Sequence, residues 1–258
     1  MRGTVALADM RVEVGWRAHN LTPKARNERL QVSPLPCPRH PACVRWYSKY
    51  TISYRQLEEM MAERGVAVDH TTIWRWIQHY APRLEKEIRW YQGHTSGSWR
   101  VDETCIRVNG EWKWLFRAVD KQGRTVDFLL IHRRNDKAAR RFLAKALRTR
   151  QHWPPHLINT DKTPAYGEAL RQMKRDDPNV ESIEHRQAKY LNNRIEADHG
   201  PIKRLCRATL GFKSMKTAYA TIKGFEVMRM IRKRQCILLD SGVTGEVRFV
   251  SKLLNLAA

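Results

Sequence analysis

The sequence predicts a mixed α/β layered domain preceded by a small all-α unit. From Trp99 onward, three consecutive runs alternate apolar and polar residues, the period of a half-buried strand, and helical and strand-like runs then interleave. Before that, residues 53–80 hold two short helical patterns on either side of Gly65, the layout of a helix-turn-helix.

Residues 1–43 read as an irregular lead, because Pro34, Pro36, Pro38 and Pro41 block both helix and central strand; 32–43 is a loop or linker on this reading. Ser53 and Gln56 make a capping box for a helix over 53–64, with Leu57, Met60 and Met61 on one face and Gly65 as its stop. Asp69 caps a second helix over 70–80, whose apolar stripe is Ile73, Trp76, Ile77 and Tyr80. Pro82 separates it from a charged connector helix at 83–92, and the Gly/Ser-rich segment 93–98 marks a boundary, so 44–92 reads as a helical domain. Strands are expected at 99–108, 111–120 and 124–132, joined by turns at Gly110 and at 121–123 into an antiparallel meander. Trp112, Trp114 and Phe116 lie two apart, hence on one strand face. Such rings can stack nucleic-acid bases, but at this spacing the expectation is core. Then come a helix at 136–149, a strand ending at Asp161, a helix at 164–175, a strand at 180–185, a long helix at 190–209 and a helix at 217–236. These complete a domain over 93–236, with 237–258 as a tail packed on it.

Lys and Arg number 48 against 26 Asp and Glu, a net charge of +22. Hydrophobic residues make up 42%, enough for a packed core, which excludes a disordered basic tail. Such a charge on a folded chain predicts attraction to a polyanion, nucleic acid above all. An anionic membrane surface is the rival, but no long amphipathic helix shows a clean basic face, and no run approaches a membrane span. Residues 1–16 are interrupted by Asp9, Arg11 and Glu13, unlike a secretory signal. Five cysteines, an odd count, point to a reducing cytoplasm rather than a disulfide framework. Cys37, His40 and Cys43, with distant His19, could bind zinc, but their spacing fits no standard pairing, and a loop with incidental thiols is expected. If the 70–80 helix enters a DNA major groove, Thr71, Thr72 and Arg75 near its start are the side chains to reach base edges. An ordinary helical hairpin is the plain alternative.

Acidic residues are scarce, so their positions are informative. Asp102 lies within the first strand, Asp161 ends a later strand, and Glu196 lies on the long helix. Sites in open α/β sheets form beyond the carboxyl ends of strands. Three such carboxylates could hold two Mg²⁺ ions, or Mn²⁺ in their place, roughly 3.5–4 Å apart for phosphoryl transfer. Asp120, Asp127 and Asp136 are rivals. Lys203 stands seven residues after Glu196, nearly two full turns, so both face the same way and Lys203 can grip a DNA phosphate. His199 lies on the neighbouring stripe, and Asp198 points away.

The stretches RWYSKYTISYRQLEEMMAERGVAVDHTTIWRWIQHYAP, WRVDET, FRAVDKQGRTVDFLL, NTDKTPAYG, HRQAKYLNNRIEADHGPIK and LGFKSMKTAYATIKGFEVMR strongly resemble bacterial insertion-sequence transposases of the DDE class. The resemblance is strongest to insertion sequence family six, the replicative, cointegrate-forming branch, and spans about 44–236. It implies a ribonuclease H-like catalytic domain behind the helix-turn-helix. It implies a metal-binding catalytic triad at Asp102, Asp161 and Glu196, with the family's spacing of 34 residues between the second and third acids, and a basic residue at Lys203. It further implies binding to terminal inverted repeats through 53–80, 3′-end cleavage and strand transfer into target DNA, dimers or larger assemblies, and action at the bacterial nucleoid. The longer proline-rich lead departs from the pattern, and Cys105 and Thr163 fall where relatives often carry Tyr and Ala. The rivals are a catalytically inactive helix-turn-helix protein or transposase remnant, and a nuclease acting on RNA–DNA hybrids.

Overall fold

A computed structural model describes residues 39–209 and 211–255. Cys37 and His19, two members of the possible zinc group, lie outside the described residues, as does nearly all of the 1–43 lead.

Helix α1 spans Arg39–Lys49, so 39–43 are helical and not loop. Pro41 falls in the first turn, where its missing N–H has no intrahelical partner to lose. His40 packs edge-on against Trp76, ring centroids 4.1 Å apart, and Cys43 is buried. Helix α2, Tyr54–Ala62, starts at the predicted capping box: Gln56 N–H donates to Ser53 Oγ at 3.2 Å, and Ser53 N–H donates to Gln56 Oε1 at 2.7 Å. Helix α3 begins at the Asp69 cap but runs His70–Ile88 without a break. The separate helices expected around Pro82 are one. The stripe Ile73, Ile77, Tyr80, Ala81, Leu84 and Ile88 keeps helical spacing through the proline, and burial along that whole length outweighs one lost hydrogen bond.

The strands are β1 Ser98–Val108, β2 Glu111–Asp120, β3 Thr125–Ile131, β4 Leu157–Thr160 and β5 Glu184–Gln187. They form one sheet in the order β3-β2-β1-β4-β5. β1, β2 and β3 are mutually antiparallel, while β4 and β5 run parallel to β1. This is the ribonuclease H-like arrangement. The last strand starts later than expected because Asp177 caps, and Pro178 opens, a short helix α6 at Pro178–Glu181. Helices α4 (Asp136–Thr149) and α5 (Pro164–Asp176) cover one sheet face through Phe142, Leu143, Tyr166 and Leu170, against Trp99, Val101, Phe116 and Ala118. Helices α7 (Asn193–Ala208) and α8 (Met215–Arg232) cover the other, with Ile202, Ile222 and Phe225 against Ile106, Leu115 and Phe128.

That second core continues into the helical region, taking in Leu57, Ile73, Ile77 and Leu84, and helix α9 (Gly242–Leu253) closes it with Phe249 and Val250. The crossing of α1, α3 and α8 is tight. A Cβ on Gly224 would lie 2.6 Å from Ser48 Oγ and 3.0 Å from Ala81 Cβ. Among the described residues no helix is long and apolar enough to cross a membrane.

Charged side chains are buried in this core too, Arg117 and Glu226 completely. Arg117 of β2 is 0% exposed and donates to Glu226 Oε1 of α8 at 2.7 Å and to Asp198 Oδ2 of α7 at 2.6 Å. Arg229 and Lys233 also pair with Asp198, the lysine at 2.8 Å. Replacing Arg117 with Met leaves the fully buried Glu226 with only Arg229, 3.8 Å away, and takes one of three cations from Asp198. Arg117→Met is expected to cost about 3–5 kcal/mol, read as a lower urea midpoint at unchanged slope.

Candidate active site

Asp102 lies on β1, on the face that carries α7. Glu103, the next residue, points to the other face, where Tyr166 Oη and Arg134 Nε both donate to it. Asp161 follows the end of β4. Its Oδ1 accepts Thr163 N–H at 3.0 Å and its Oδ2 accepts Thr163 Oγ1–H at 2.6 Å. Arg134 Nη2 donates to Thr163 Oγ1 at 2.9 Å and stands 3.5 Å from Asp161 Oδ2. One carboxylate oxygen from each of Asp102, Glu103 and Asp161 lies within 4.8 Å of the others.

Two buried amides hold the three elements together. β4 pairs with β1 only over Ser98–Arg100, so the carbonyl of Val101 is left without a strand partner on that side. Asn192, at the start of α7, donates to it at 3.2 Å. Asn159 of β4 donates to Asn192 Oδ1 at 2.7 Å and to the Ala188 carbonyl at 3.0 Å. Asn159 is two residues before Asp161, Val101 is next to Asp102, and Asn192 is one turn before Glu196. A single chain of hydrogen bonds therefore sets the spacing of all three acids.

Glu196 is exposed on α7 and lies outside the tight cluster, yet close enough for its charge to act on Asp102. Burial, then the charges of Glu103, Asp161 and Glu196, push Asp102 up to about 7. Burial also raises Glu103. His199 Nδ1 is 3.8 Å from Asp102 Oδ2. Its burial, with Arg117 and Lys203 nearby, drops its pKa to about 3, so the imidazole is neutral. Asp198 turns inward to Arg117, away from the acids, as the helical rotation predicts. The donor set is three carboxylates that repel one another, with no thiolate among them. Hard oxygen donors of this kind fit a divalent cation, which would relieve the repulsion.

Lys203 is half-buried further along α7, beside a groove of about 410 Å³ that also touches Arg107, Trp112 and Arg207. Thr71 and Arg75 are exposed on α3 and line a cleft of about 510 Å³ against Phe212, Lys213 and Thr217; Thr72 is half-buried and outside that lining. The rivals are engaged elsewhere: Asp120 pairs with Arg124 and Asp127 with Lys145. Glu103 and Arg134 escaped the sequence reading. Strand alternation places Glu103 on the wrong face, and the adjacent acids in VDET were the one available signal. Trp112 also departs from expectation, since it is 61% exposed while Phe116 is core.

A family model described as a DDE domain matches residues 96–235. A transposase for the insertion sequence-like element IS431mec of Staphylococcus aureus is 37% identical over 198 residues, 74% of this chain and 83% of that protein. A transposase for insertion sequence element IS257 in transposon Tn4003, also of Staphylococcus aureus, is 36% identical over the same length and shares. Among solved structures, the HTLV-2 integrase catalytic core domain in complex with magnesium is 19% identical, with a TM-score of 0.41 over 52% of this chain and 86% of that one.

The folded Asp102 carboxyl keeps its proton up to about pH 7, whereas in the unfolded chain it loses it near about pH 4. Between those values the native state binds more protons, so metal-free protein loses stability as pH rises through the window. Asp102→Asn is expected to flatten that loss and to be about 1–3 kcal/mol more stable than the wild type at pH 8. Urea unfolding across the window tests this, and a variant that tracks the wild type at every pH contradicts the repulsion.

Proposed function

The chain belongs to the DDE transposases of insertion sequence family six, and on that premise we propose which of its residues carry out DNA transposition and on which ends. Asp102, Asp161 and Glu196 are the catalytic and metal-holding acids, with Mg²⁺, replaceable by Mn²⁺, as the ion and two ions as the complement. The observation that carries this is the packing of Asp102 and Asp161 oxygens, with one of Glu103, within 4.8 Å of one another in a chain of net charge +22; Glu196, outside that cluster, still acts on Asp102 through its charge. A divalent ion held there supplies Lewis-acid polarisation of the scissile phosphate and a more acidic attacking hydroxyl.

The chain's own residues orient and neutralise. Thr163 fixes both oxygens of Asp161, and Asn192 fixes the approach of α7 to β1. His199, neutral and buried, fills the space beside Asp102 without adding charge. Lys203 holds DNA phosphate along the same helix. The reaction is two in-line displacements. Water first breaks the P–O bond at each 3′ end of the element, and the freed 3′-hydroxyl then attacks a phosphate of target DNA. Each step forms one P–O bond and breaks one, so no covalent protein intermediate is needed. Thr71, Thr72 and Arg75 read the terminal inverted repeats, and a dimer or larger assembly brings two ends together in the cytoplasm, at the nucleoid. Burial of Ile73 and Ile77 supports this assignment by turning Thr71 and Arg75 outward.

The test is strand transfer with purified protein, a labelled duplex of the element's own terminal repeat, a plasmid target and Mg²⁺ or Mn²⁺. Glu196→Gln and Asp161→Asn are expected to cut joining by about 1,000-fold or more while duplex binding persists. Wild type that binds but never joins marks an inactive remnant. Lys203→Ala is expected to weaken DNA binding and to flatten its salt dependence by about one phosphate contact, with metal affinity unchanged. A fall in metal affinity matching that of Glu196→Gln refutes the role given to Lys203.

A further inference from the structure

The outer end of the β1–β2 hairpin is built differently from the rest of the sheet. Its face opposite α7 carries Glu103, Cys105 and Arg107 on β1, paired in register with Phe116, Trp114 and Trp112 on β2. Phe116 is core, but helices α4 and α5 do not extend over the hairpin tip, and Trp112 is 61% exposed. Each tryptophan has an arginine against its ring. The Arg134 guanidinium lies 5.3 Å from the centre of Trp114, and that of Arg107 lies 5.9 Å from the centre of Trp112. Arg107 is also tethered, donating through Nε to the Gly110 carbonyl at 3.1 Å. The inner arginine, Arg134, is the one that reaches Glu103 and Asp161. The two Arg–Trp pairs therefore step outward from the carboxylates.

Beyond Arg100 β4 no longer pairs with β1, and along that part of the sheet a groove of about 410 Å³ is lined by Arg107 and Trp112 of the hairpin together with Lys203 and Arg207 of α7. A bridge between Val108 and Phe212 fixes the far end of the groove, where Asn109 N–H donates to the Phe212 carbonyl at 2.6 Å. The groove thus gathers one flat aromatic ring and three cations in its lining. Successive outward-facing residues of a strand are about 6.8 Å apart, twice the roughly 3.4 Å rise per nucleotide of a stacked strand. An exposed Trp with flanking Arg and Lys suits a nucleic-acid strand whose bases are unpaired, because only an unpaired base offers its face for stacking.

We propose that the groove between the β1–β2 hairpin tip and α7 is a binding site for unpaired DNA strand next to the reacting phosphate, with a base stacked on Trp112 and phosphates on Arg107 and Arg207. The proposal rests on the transposase reading for the strand's identity. It gives the protein a means of holding a frayed duplex end open, about two nucleotides beyond the position of Trp114.

The test uses full-length protein and a short single-stranded oligonucleotide carrying 5-iodouracil, irradiated at low salt, with the linked peptide mapped by mass spectrometry. The cross-link is expected on Trp112. Trp112→Ala and Trp112→Leu should each weaken oligonucleotide binding about tenfold, whereas Trp112→Phe should retain most of it. The leucine variant keeps apolar bulk without a π face, so a merely structural role would spare it. Arg107→Ala and Arg207→Ala should each make the salt dependence shallower by about 0.7. Cross-links elsewhere, or unchanged affinity in Trp112→Leu, overturn the proposal while metal-dependent joining by the wild type still stands. Cross-linking at Trp112 in a protein that never joins DNA supports the groove and marks an inactive remnant, so that the failure falls on the catalytic reading instead.

Discussion

Everything near the acids depends on the buried charge of Arg117. A guanidinium with no access to water must be met by carboxylates, and here they come from two different helices, Asp198 on α7 and Glu226 on α8. The pairing draws both helices onto β2 and fixes how α7 is rolled about its axis. With Asp198 turned inward, Glu196 two residues earlier is rotated about 200° away, onto the exposed side. Arg229 and Lys233 join the same cluster, leaving one positive charge more than negative in the group. That surplus field helps keep His199 uncharged.

The acids and the cation cluster pull in opposite senses. Arg117, Glu226 and Asp198 satisfy one another, whereas Asp102, Glu103 and Asp161 are satisfied by Tyr166, Arg134 and Thr163 only in part. The Asn159–Asn192–Val101 chain keeps them from relaxing apart, being buried and able to bond only in that arrangement. Carboxylate repulsion of this kind, only partly cancelled by the protein's own donors, gives up stability locally.

Much of this was legible in the residues. The Ser53–Gln56 box and the Asp69 cap mark helix starts because their side chains serve N–H groups only a few residues ahead. The meander was legible because short turns join alternating runs. What was not legible depends on contacts distant in sequence. Pro82 looked like a helix break, since nothing local tells that α8 will bury both sides of it. Pro41 hid α1 in the same way. Period two assigned Trp112 to the core, yet burial also needs a covering layer, and the helices end before the hairpin tip. Glu103 joins Asp102 and Asp161 from across the sheet, which strand alternation alone rules against.

The close approach at Gly224 bears on how such a chain can evolve. Helices α1 and α3 sit so near α8 that a single methyl group would displace Ser48 or Ala81. If α3 reads DNA ends as proposed, a counterpart borrowed from another element would arrive with a surface fitted to a different α8, encoded far downstream. Splicing at the Gly/Ser segment between the halves would leave that fit broken. Substitutions on the outward side of α3, one residue at a time, leave that fit intact.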